Sequence, residues 1–526
     1  TRSSFLLQSP AMADLGFWRL AEADPAHLAL VGPDGTERTA GELLAASHRA
    51  ANGFRALGLE NGDTVALLLP NSVELIELYL GALEIGLYVT PINWHLVGPE
   101  VAYILGDSDA KVFVAHERFA DVARTAADEA GFPADRAFAV GTVEGFRPLA
   151  ELTAGQPDTA PEGRTTGAAM HYTSGTTGRP KGVKRGLFEI DPSDMGELLT
   201  MLPGLFGVGP HDDHVHLTVS PLYHTAVLMW TGCALHLGHT VVLMDKWTPE
   251  ETLRLIDRYR VTYSHMVPTQ FVRLLDLPED VRAGYDVSSL RNMIHGAAPC
   301  PQEIKHRMID WWGDTIQEYY AATEGGGTVI TAAEWKERPG SVGTAWPGSE
   351  IRIYDDEGTQ LPAGKIGTVY MQLMADFEYK GDSAKTKANR IENFFTVGDL
   401  GELDEAGYLF LRDRKSDMII SGGANIYPAE IEGELINHPA VQDVAVFGIP
   451  NADWGEEIKA VVELHEGFEP GDELAADILA WAGTRMGKFK LPRTIDFVDT
   501  LPREPNGKLI KRKLRDPYWE GVDRQI

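Results

Sequence analysis

The chain has 526 residues, more than one hydrophobic core organises, so it divides into domains. Apolar residues make up 44% and charged residues 24%, the balance of an ordinary soluble globular protein, and the formal net charge of −30 excludes a general nucleic-acid surface. The same charge requires any anionic substrate to be held by local donors, because the global field opposes it.

From residue 63 onward, short apolar runs alternate with amphipathic stretches. Residues 64–69 read as a strand, and 73–85 as a helix with Leu75, Leu78, Ala82 and Ile85 on one stripe. A strand at 88–91, a helical turn or two at 100–105 and a strand at 111–115 follow. The rhythm returns as strand 239–244, helix 248–259, strand 263–267 and helix 269–275. Such alternation predicts βαβ units and a doubly wound parallel sheet. Residues 154–167, rich in Pro, Gly and Thr, read as a loop, and 401–411 as a hairpin turning at 404–407. Beyond the polar run 412–417 the pattern changes, with elements at 429–437, 441–448, 457–464 and 472–486. We therefore expect an N-terminal domain over 1–413, a hinge at 414–417 and a small α+β domain over 418–526.

Cys233 and Cys300 lie far apart and in no metal-like spacing, which excludes a disulfide framework and fits a reducing cytoplasm. No apolar run approaches the roughly 20 residues of a spanning helix. The first eight residues lack the pattern of a signal peptide. A peripheral membrane contact and a homodimer are both compatible with this composition.

The chemistry concentrates in Tyr172-Thr-Ser-Gly-Thr-Thr-Gly-Arg-Pro-Lys-Gly-Val183. Its glycines let backbone N–H groups converge on an anion, the hydroxyls of Thr173, Ser174, Thr176 and Thr177 add donors, and Lys181 adds charge. A strand-like lead-in at 168–172 puts this loop at a strand's C-terminal end, where α/β sheets bind ligands. It is not a Walker loop, since Arg179-Pro180 separate Lys181 from the preceding glycine.

With this loop the chain resembles the AMP-forming acyl-CoA synthetases and related adenylate-forming enzymes over nearly its whole length. The resemblance implies a barrel-like β subdomain beside the doubly wound sheets and a mobile C-terminal domain. It implies an enzyme that uses ATP and Mg²⁺ to turn a carboxylic acid into acyl-AMP, then transfers the acyl group to coenzyme A. Thr173, Ser174, Gly175, Thr176, Thr177, Gly178 and Lys181 would hold the phosphates. Tyr320-Ala-Ala-Thr-Glu324 resembles the family's Tyr-Gly-x-Thr-Glu segment. There Tyr320 would stack on adenine with Ala321 beside it, Thr323 would contact the α-phosphate and Glu324 would hold Mg²⁺. Gly296, Ala297 and Ala298 would line the adenine. Asp399, in Val397-Gly-Asp399, would take the ribose hydroxyls together with Arg414.

Ser416 falls where the family has its pivot, and Gly422 and Gly423 would border the pantetheine arm. Lys508 stands at the position of the family's catalytic lysine, where a mobile ammonium offsets charge at the α-phosphate. Lys511, Arg512, Lys513 and Arg515 read as a solvated basic face. His224, in Ser220-Pro-Leu-Tyr-His-Thr225, matches a segment beside the acyl pocket and takes a gating role. His211-Asp-Asp-His-Val-His216 reads as a solvated loop opening a strand rather than a metal site. The candidate acyl-pocket segments 223–230, 266–270, 297–300 and 321–327 are largely apolar, which points to a medium- or long-chain fatty acid or a bulky ring-bearing acid. An adenylating enzyme that passes its product to a carrier protein or to oxygen, and a non-catalytic nucleotide or acyl binder, are the rival readings.

Overall fold

The computed structural model describes residues 15–173, 180–210, 213–322, 324–372, 377–380, 383–503 and 508–520. Two compact units emerge: one from the described residues of 1–265, 277–294 and 375–388, the other from 266–276, 295–374 and 389–526. The chain is α/β.

In the first unit, Thr64–Leu68 pairs in parallel with Tyr88–Pro91 on one side and Ala110–His116 on the other. The six-stranded sheet extends in parallel to Ala137–Val140 and Arg147–Pro148 at one edge and to Ala168–Ala169 at the other. All five residues of Thr64–Leu68 are buried. A parallel strand covered on both faces needs such an unbroken apolar run, and that is what its sequence supplies. Val73–Glu84 and Gly98–Asp107 form helices, the second longer than the two turns expected from its short stripe. Leu68, Ile104, Phe113 and Ala126 meet in one core beneath it. A second set of parallel pairings joins Leu28–Val31, Thr240–Leu243, Val215–Thr218 and Tyr263–Met266. Helix Ala40–Ala56, absent from the periodicity reading, starts on a capping box in which Thr39 accepts from Glu42 N and Glu42 from Thr39 N.

The second unit holds an antiparallel six-stranded sheet that includes Ile351–Tyr354, Gly367–Gln372, Asp399–Leu403 and Leu409–Arg414. The predicted hairpin is the last pair, with its turn over 404–408. A further sheet joins Ile419–Ser421, Ala424–Ile426, Val441–Asn451, Gly455–Leu464 and Thr494–Val498. It packs on helices Pro428–Leu435 and Asp472–Gly483 through Ile431, Leu435, Val446, Val462 and Ile478.

The expectation of a solvated loop around His211–His216 fails for its described end. His214 and His216 are buried, with His214 Nδ1 2.8 Å from the Thr262 hydroxyl and the His216 ring 4.6 Å from that of Tyr263. The register of the parallel strands turns both inward. Among the described residues no cluster able to hold a metal ion occurs.

Burial lowers four imidazoles of this unit: His171 and His216 to about 3, His236 and His265 to about 4. His236 Nδ1 accepts the Phe17 N–H, which fits its neutral form. An unfolded histidine takes up a proton near pH 6.5, so below that value the unfolded chain binds protons the folded chain refuses. Stability falls as pH drops from about 6.5 to about 4, by about 1.4 kcal/mol per pH unit for each such histidine. His236→Gln, less stable at pH 7 through lost packing, should show a shallower fall in unfolding free energy between pH 6.5 and 5; equal slopes would refute the assignment.

Candidate active site

The glycine- and threonine-rich run is framed by two antiparallel strands. His171–Thr173 pairs with Lys181–Arg185, setting Thr173 opposite Lys181 and Tyr172 opposite Gly182 in a three-stranded antiparallel sheet. The run therefore does not link a parallel strand to a helix: Lys181 opens a strand. Ser174, Gly175, Thr176, Thr177 and Gly178 lie outside the described residues, as does Thr323; of Thr173 only the backbone is described. Both flanks are tied to the helix Gly98–Asp107. The Tyr172 hydroxyl donates to Asp107 Oδ2 at 2.6 Å, and the Tyr103 hydroxyl to the Pro180 carbonyl at 3.2 Å. Burial, reinforced by Asp107, pushes the Tyr172 phenol far up, so it stays a donor. From the other side, Lys380 N–H donates to the Gly182 carbonyl at 2.9 Å.

Tyr320, Asp399 and Arg414 meet at one carboxylate in the second unit. Asp399 opens the strand Asp399–Leu403 and stands opposite Arg414, the last residue of Leu409–Arg414. Arg414 Nε lies 3.4 Å from Asp399 Oδ1, while the Tyr320 hydroxyl donates to Oδ2 at 2.6 Å. Burial and then Asp399 itself drive the Tyr320 phenol well above its ordinary value, which keeps the proton on the tyrosine. The Thr396 hydroxyl accepts the Gly398 N–H at 3.0 Å and fixes the turn before Asp399. Glu324 is buried four residues beyond Tyr320 in the sequence.

Close backbone approach shapes this region. Tyr320 lies opposite Thr328, and Ala321 opposite Gly327. A Cβ at Gly327 would stand 2.4 Å from the Tyr320 carbonyl oxygen and 2.8 Å from the Trp346 ring. Ala297 takes φ of 68°, a left-handed conformation uncommon outside glycine. Below it, Lys305 on the helix Gln302–Trp312 reaches Glu318 Oε2 at 2.6 Å, two residues before Tyr320, and both side chains are buried. This ion pair fixes the helix after the Gly296–Ala298 segment to the strand Ile316–Ala321, which carries Tyr320.

His224 caps the helix Thr225–His236, half-buried, its ring 4.4 Å from that of Tyr223. The segment before it is held by a residue that motif reading missed. The buried Asn71 amide donates to the Ser220 and Met244 carbonyls at 2.9 and 2.8 Å and accepts the Leu222 N–H at 2.8 Å. Gly422 and Gly423 form the turn between Ile419–Ser421 and Ala424–Ile426, with φ of 57° and 80°. The exposed Trp454 lies over Gly422, and its carbonyl accepts the Gly422 N–H. Ser416 lies two residues beyond Arg414, the end of the strand, and its carbonyl accepts from Arg515 Nη1 at 3.3 Å.

Lys508 is half-buried, and the cations after it are not all solvated as expected. Lys511 is paired at 2.8 Å with Glu432, and Arg515 reaches Asp417; Arg512 and Lys513 are exposed. The helix Lys511–Arg515 turns two of its four charges inward.

A family model described as AMP-binding enzyme matches residues 17–373, and one described as AMP-binding enzyme C-terminal domain matches 430–508. The chain belongs to the AMP-binding enzyme family. It is similar to the long-chain-fatty-acid–CoA ligase FadD13 of Mycobacterium tuberculosis, at 33% identity over 98% of this chain and 100% of that one. The fatty acid–[acyl-carrier-protein] ligase ScoC of Streptomyces coeruleorubidus is 31% identical, with 94% of each chain covered. ATP-bound MatB from Rhodopseudomonas palustris has the same fold, with a TM-score of 0.81 at 32% identity, covering 95% of this chain and 98% of that one. The chain is an AMP-forming acid–CoA ligase, with ATP and coenzyme A as substrates.

Gly327→Ala should push the Tyr320 strand away from Asp399. A backbone contact of that kind costs on the order of 1–3 kcal/mol. We expect a lower thermal midpoint and weaker AMP binding by calorimetry; AMP affinity equal to that of the parent would refute the close-approach argument.

Proposed function

We propose that this ligase activates a hydrophobic monocarboxylic acid, with Lys181, Tyr320, Asp399, Arg414 and Lys508 as its principal nucleotide-handling side chains. The observation that carries this reading is the meeting of Tyr320 and Arg414 on the two oxygens of Asp399, three residues distant in sequence. The carboxylate keeps lone pairs for the ribose hydroxyls while its orientation is set from both sides. The Tyr320 ring stacks on adenine against Gly296, Ala297, Ala298 and Ala321. Lys181 and the donors of residues 173–178 take the phosphates, with Thr323 at the α-phosphate.

A substrate carboxylate oxygen attacks the α-phosphorus, the bond to the bridging oxygen breaks, and pyrophosphate leaves. Lys508 offsets the charge that gathers on the α-phosphate oxygens. A single buried carboxylate suits Mg²⁺, which takes one or two protein carboxylates and completes its shell from phosphates and water, so Glu324 is the residue that would hold it. There the ion supplies positive charge against the triphosphate. In the second half-reaction the coenzyme A sulfur, its proton released, attacks the acyl carbonyl, and AMP leaves with the electrons of the broken C–O bond.

Residues 418–526 turn about 414–417 between the two steps, with Ser416 as pivot, and Gly422 and Gly423 then border the pantetheine. His224 gates the acyl side. No Lys or Arg occurs in 223–230, 266–270, 297–300 or 321–327, so a second carboxylate on the substrate would have no counter-charge there. This favours a medium- or long-chain fatty acid, or a bulky ring-bearing one, and a role in fatty-acid metabolism. A cytoplasmic location fits this reading, and sedimentation equilibrium distinguishes a monomer from the homodimer that the composition allows. Transfer to a carrier protein is the second reading, favoured by the likeness to ScoC.

Pyrophosphate release across acids of graded chain length and ring size should peak with a hydrophobic acid, and a clear preference for acetate would overturn the pocket argument. Coenzyme A should accelerate AMP release with that acid; acceleration by a holo-carrier protein alone would select the second reading. Lys508→Ala should slow adenylation by about 100-fold or more. Thioester formation from supplied acyl-AMP should survive, and equal loss of both half-reactions would exclude the role given to Lys508.

A further inference from the structure

Lys508 lies between two cations that both point into the fold. On its N-terminal side, Arg503 grips Asp443 with two hydrogen bonds, Nε to Oδ2 at 2.5 Å and Nη2 to Oδ1 at 2.6 Å. Asp443 belongs to the strand Val441–Asn451, so this post stands on the sheet. On its C-terminal side, Lys511 Nζ lies 2.8 Å from Glu432 Oε1, on the helix Pro428–Leu435. That oxygen also accepts the Val446 N–H at 2.7 Å, from the same strand as Asp443. The four side chains are between 12 and 22% exposed. The flanks of the lysine segment pair with each other as well: Arg503 bridges Leu509, and Ile510 N–H donates to the Pro502 carbonyl at 2.8 Å.

We propose that the Arg503–Asp443 and Lys511–Glu432 ion pairs mount Lys508, making Arg503 and Lys511 positioning residues for adenylation. A lysine that must meet developing charge at one phosphorus gains from a fixed base, because its long side chain already carries the freedom of four rotatable bonds. Two pairs on opposite flanks restrain both the height and the rotation of the segment; one pair would leave it free to swivel. The bidentate Arg503 contact fixes an orientation, whereas the Lys511 contact fixes a point.

The stability these pairs add is small, since desolvating the charges offsets most of their attraction. Taking away one partner leaves the other charge uncompensated and costs stability as well, so the mount is read from the ratio of the two half-reactions rather than from the thermal midpoint. The proposal rests on the adenylating role given to Lys508 above.

The test compares Arg503→Gln, Lys511→Gln, Arg503→Lys and Lys511→Arg in the full-length protein, using the acid that gives the fastest pyrophosphate release. Single-turnover adenylation and thioester formation from supplied acyl-AMP are measured for each, with the thermal midpoint alongside. In both glutamine variants adenylation should fall by about 100-fold, the loss that a displacement of about 1 Å brings. Thioester formation serves as the internal measure of folding and should change little.

Lys511→Arg should recover most of the adenylation rate, and Arg503→Lys should not, because it lacks the fork. A shift of the ratio between the two half-reactions by about tenfold or more supports the mount. A smaller shift overturns it, including the case in which both rates fall in step with the thermal midpoint. Absence of acyl-AMP in the parent protein with every acid would count against the proposed function itself, a separate outcome from loss of the ratio shift.

Discussion

The antiparallel register that sets Arg414 opposite Asp399 is the constraint on which the geometry of the proposed nucleotide site depends. Side chains in a strand alternate between faces, so a slip of one residue would carry Arg414 to the other side of the sheet. A register shift between Leu400 and Gly401 follows Asp399 immediately. Such a bulge bends the strand and re-aims the residues beside it. Gly401 permits it, since a Cβ there would stand 2.7 Å from the Phe410 carbonyl oxygen. With the register fixed, Tyr320 needs only the correct strand end to reach the second oxygen of the same carboxylate. In a chain of net charge −30 this local precision matters, because no long-range field draws an anionic nucleotide in.

What the amino-acid order reveals about the fold depends on how local the cause is. Tyr88–Pro91 has the expected bounds, and Thr64–Leu68 and Val73–Glu84 differ by a residue at one end, because unbroken apolar runs and a stripe of period 3.6 are local signals. Helix Ala40–Ala56 escapes that test, since alanine, serine, histidine and asparagine blur its stripe. Its Thr39-to-Glu42 spacing was the legible signal. The glycine-rich run was read as a loop after a strand, and its antiparallel partner strand was not anticipated. The stretch Lys181–Arg185 carries one apolar side chain, Val183, and so shows little of the alternation that marks a half-buried strand.

Contacts across long stretches of sequence were invisible. Nothing near Asn71 announces that its amide holds the Ser220–Leu222 backbone, and nothing in Lys511-Arg-Lys-Leu-Arg515 tells an inward lysine from an outward one. Lys511, unlike the exposed Lys513, has Glu432 within reach and Asp413 and Asp417 nearby, which tertiary packing alone decides. Motif residues are legible because their spacing reflects a ligand; the residues that hold them in place reflect the fold.

Those holding contacts share a physical form. Lys305 with Glu318, Arg503 with Asp443, Lys511 with Glu432, and Arg164 at 3.0 Å from the fully buried Glu84 are ion pairs withdrawn from water. An apolar pair of the same volume would give comparable stability without the desolvation cost. It would also tolerate sliding, because dispersion contacts change little over a fraction of an ångström. A charged hydrogen bond is steep in both distance and angle. Where these pairs flank Tyr320 and Lys508, the fold therefore accepts a near-zero net gain in stability in exchange for geometry. Removing one partner alone would leave an uncompensated charge beside Tyr320 or Lys508, and the loss of stability and the loss of geometry would then act in the same direction.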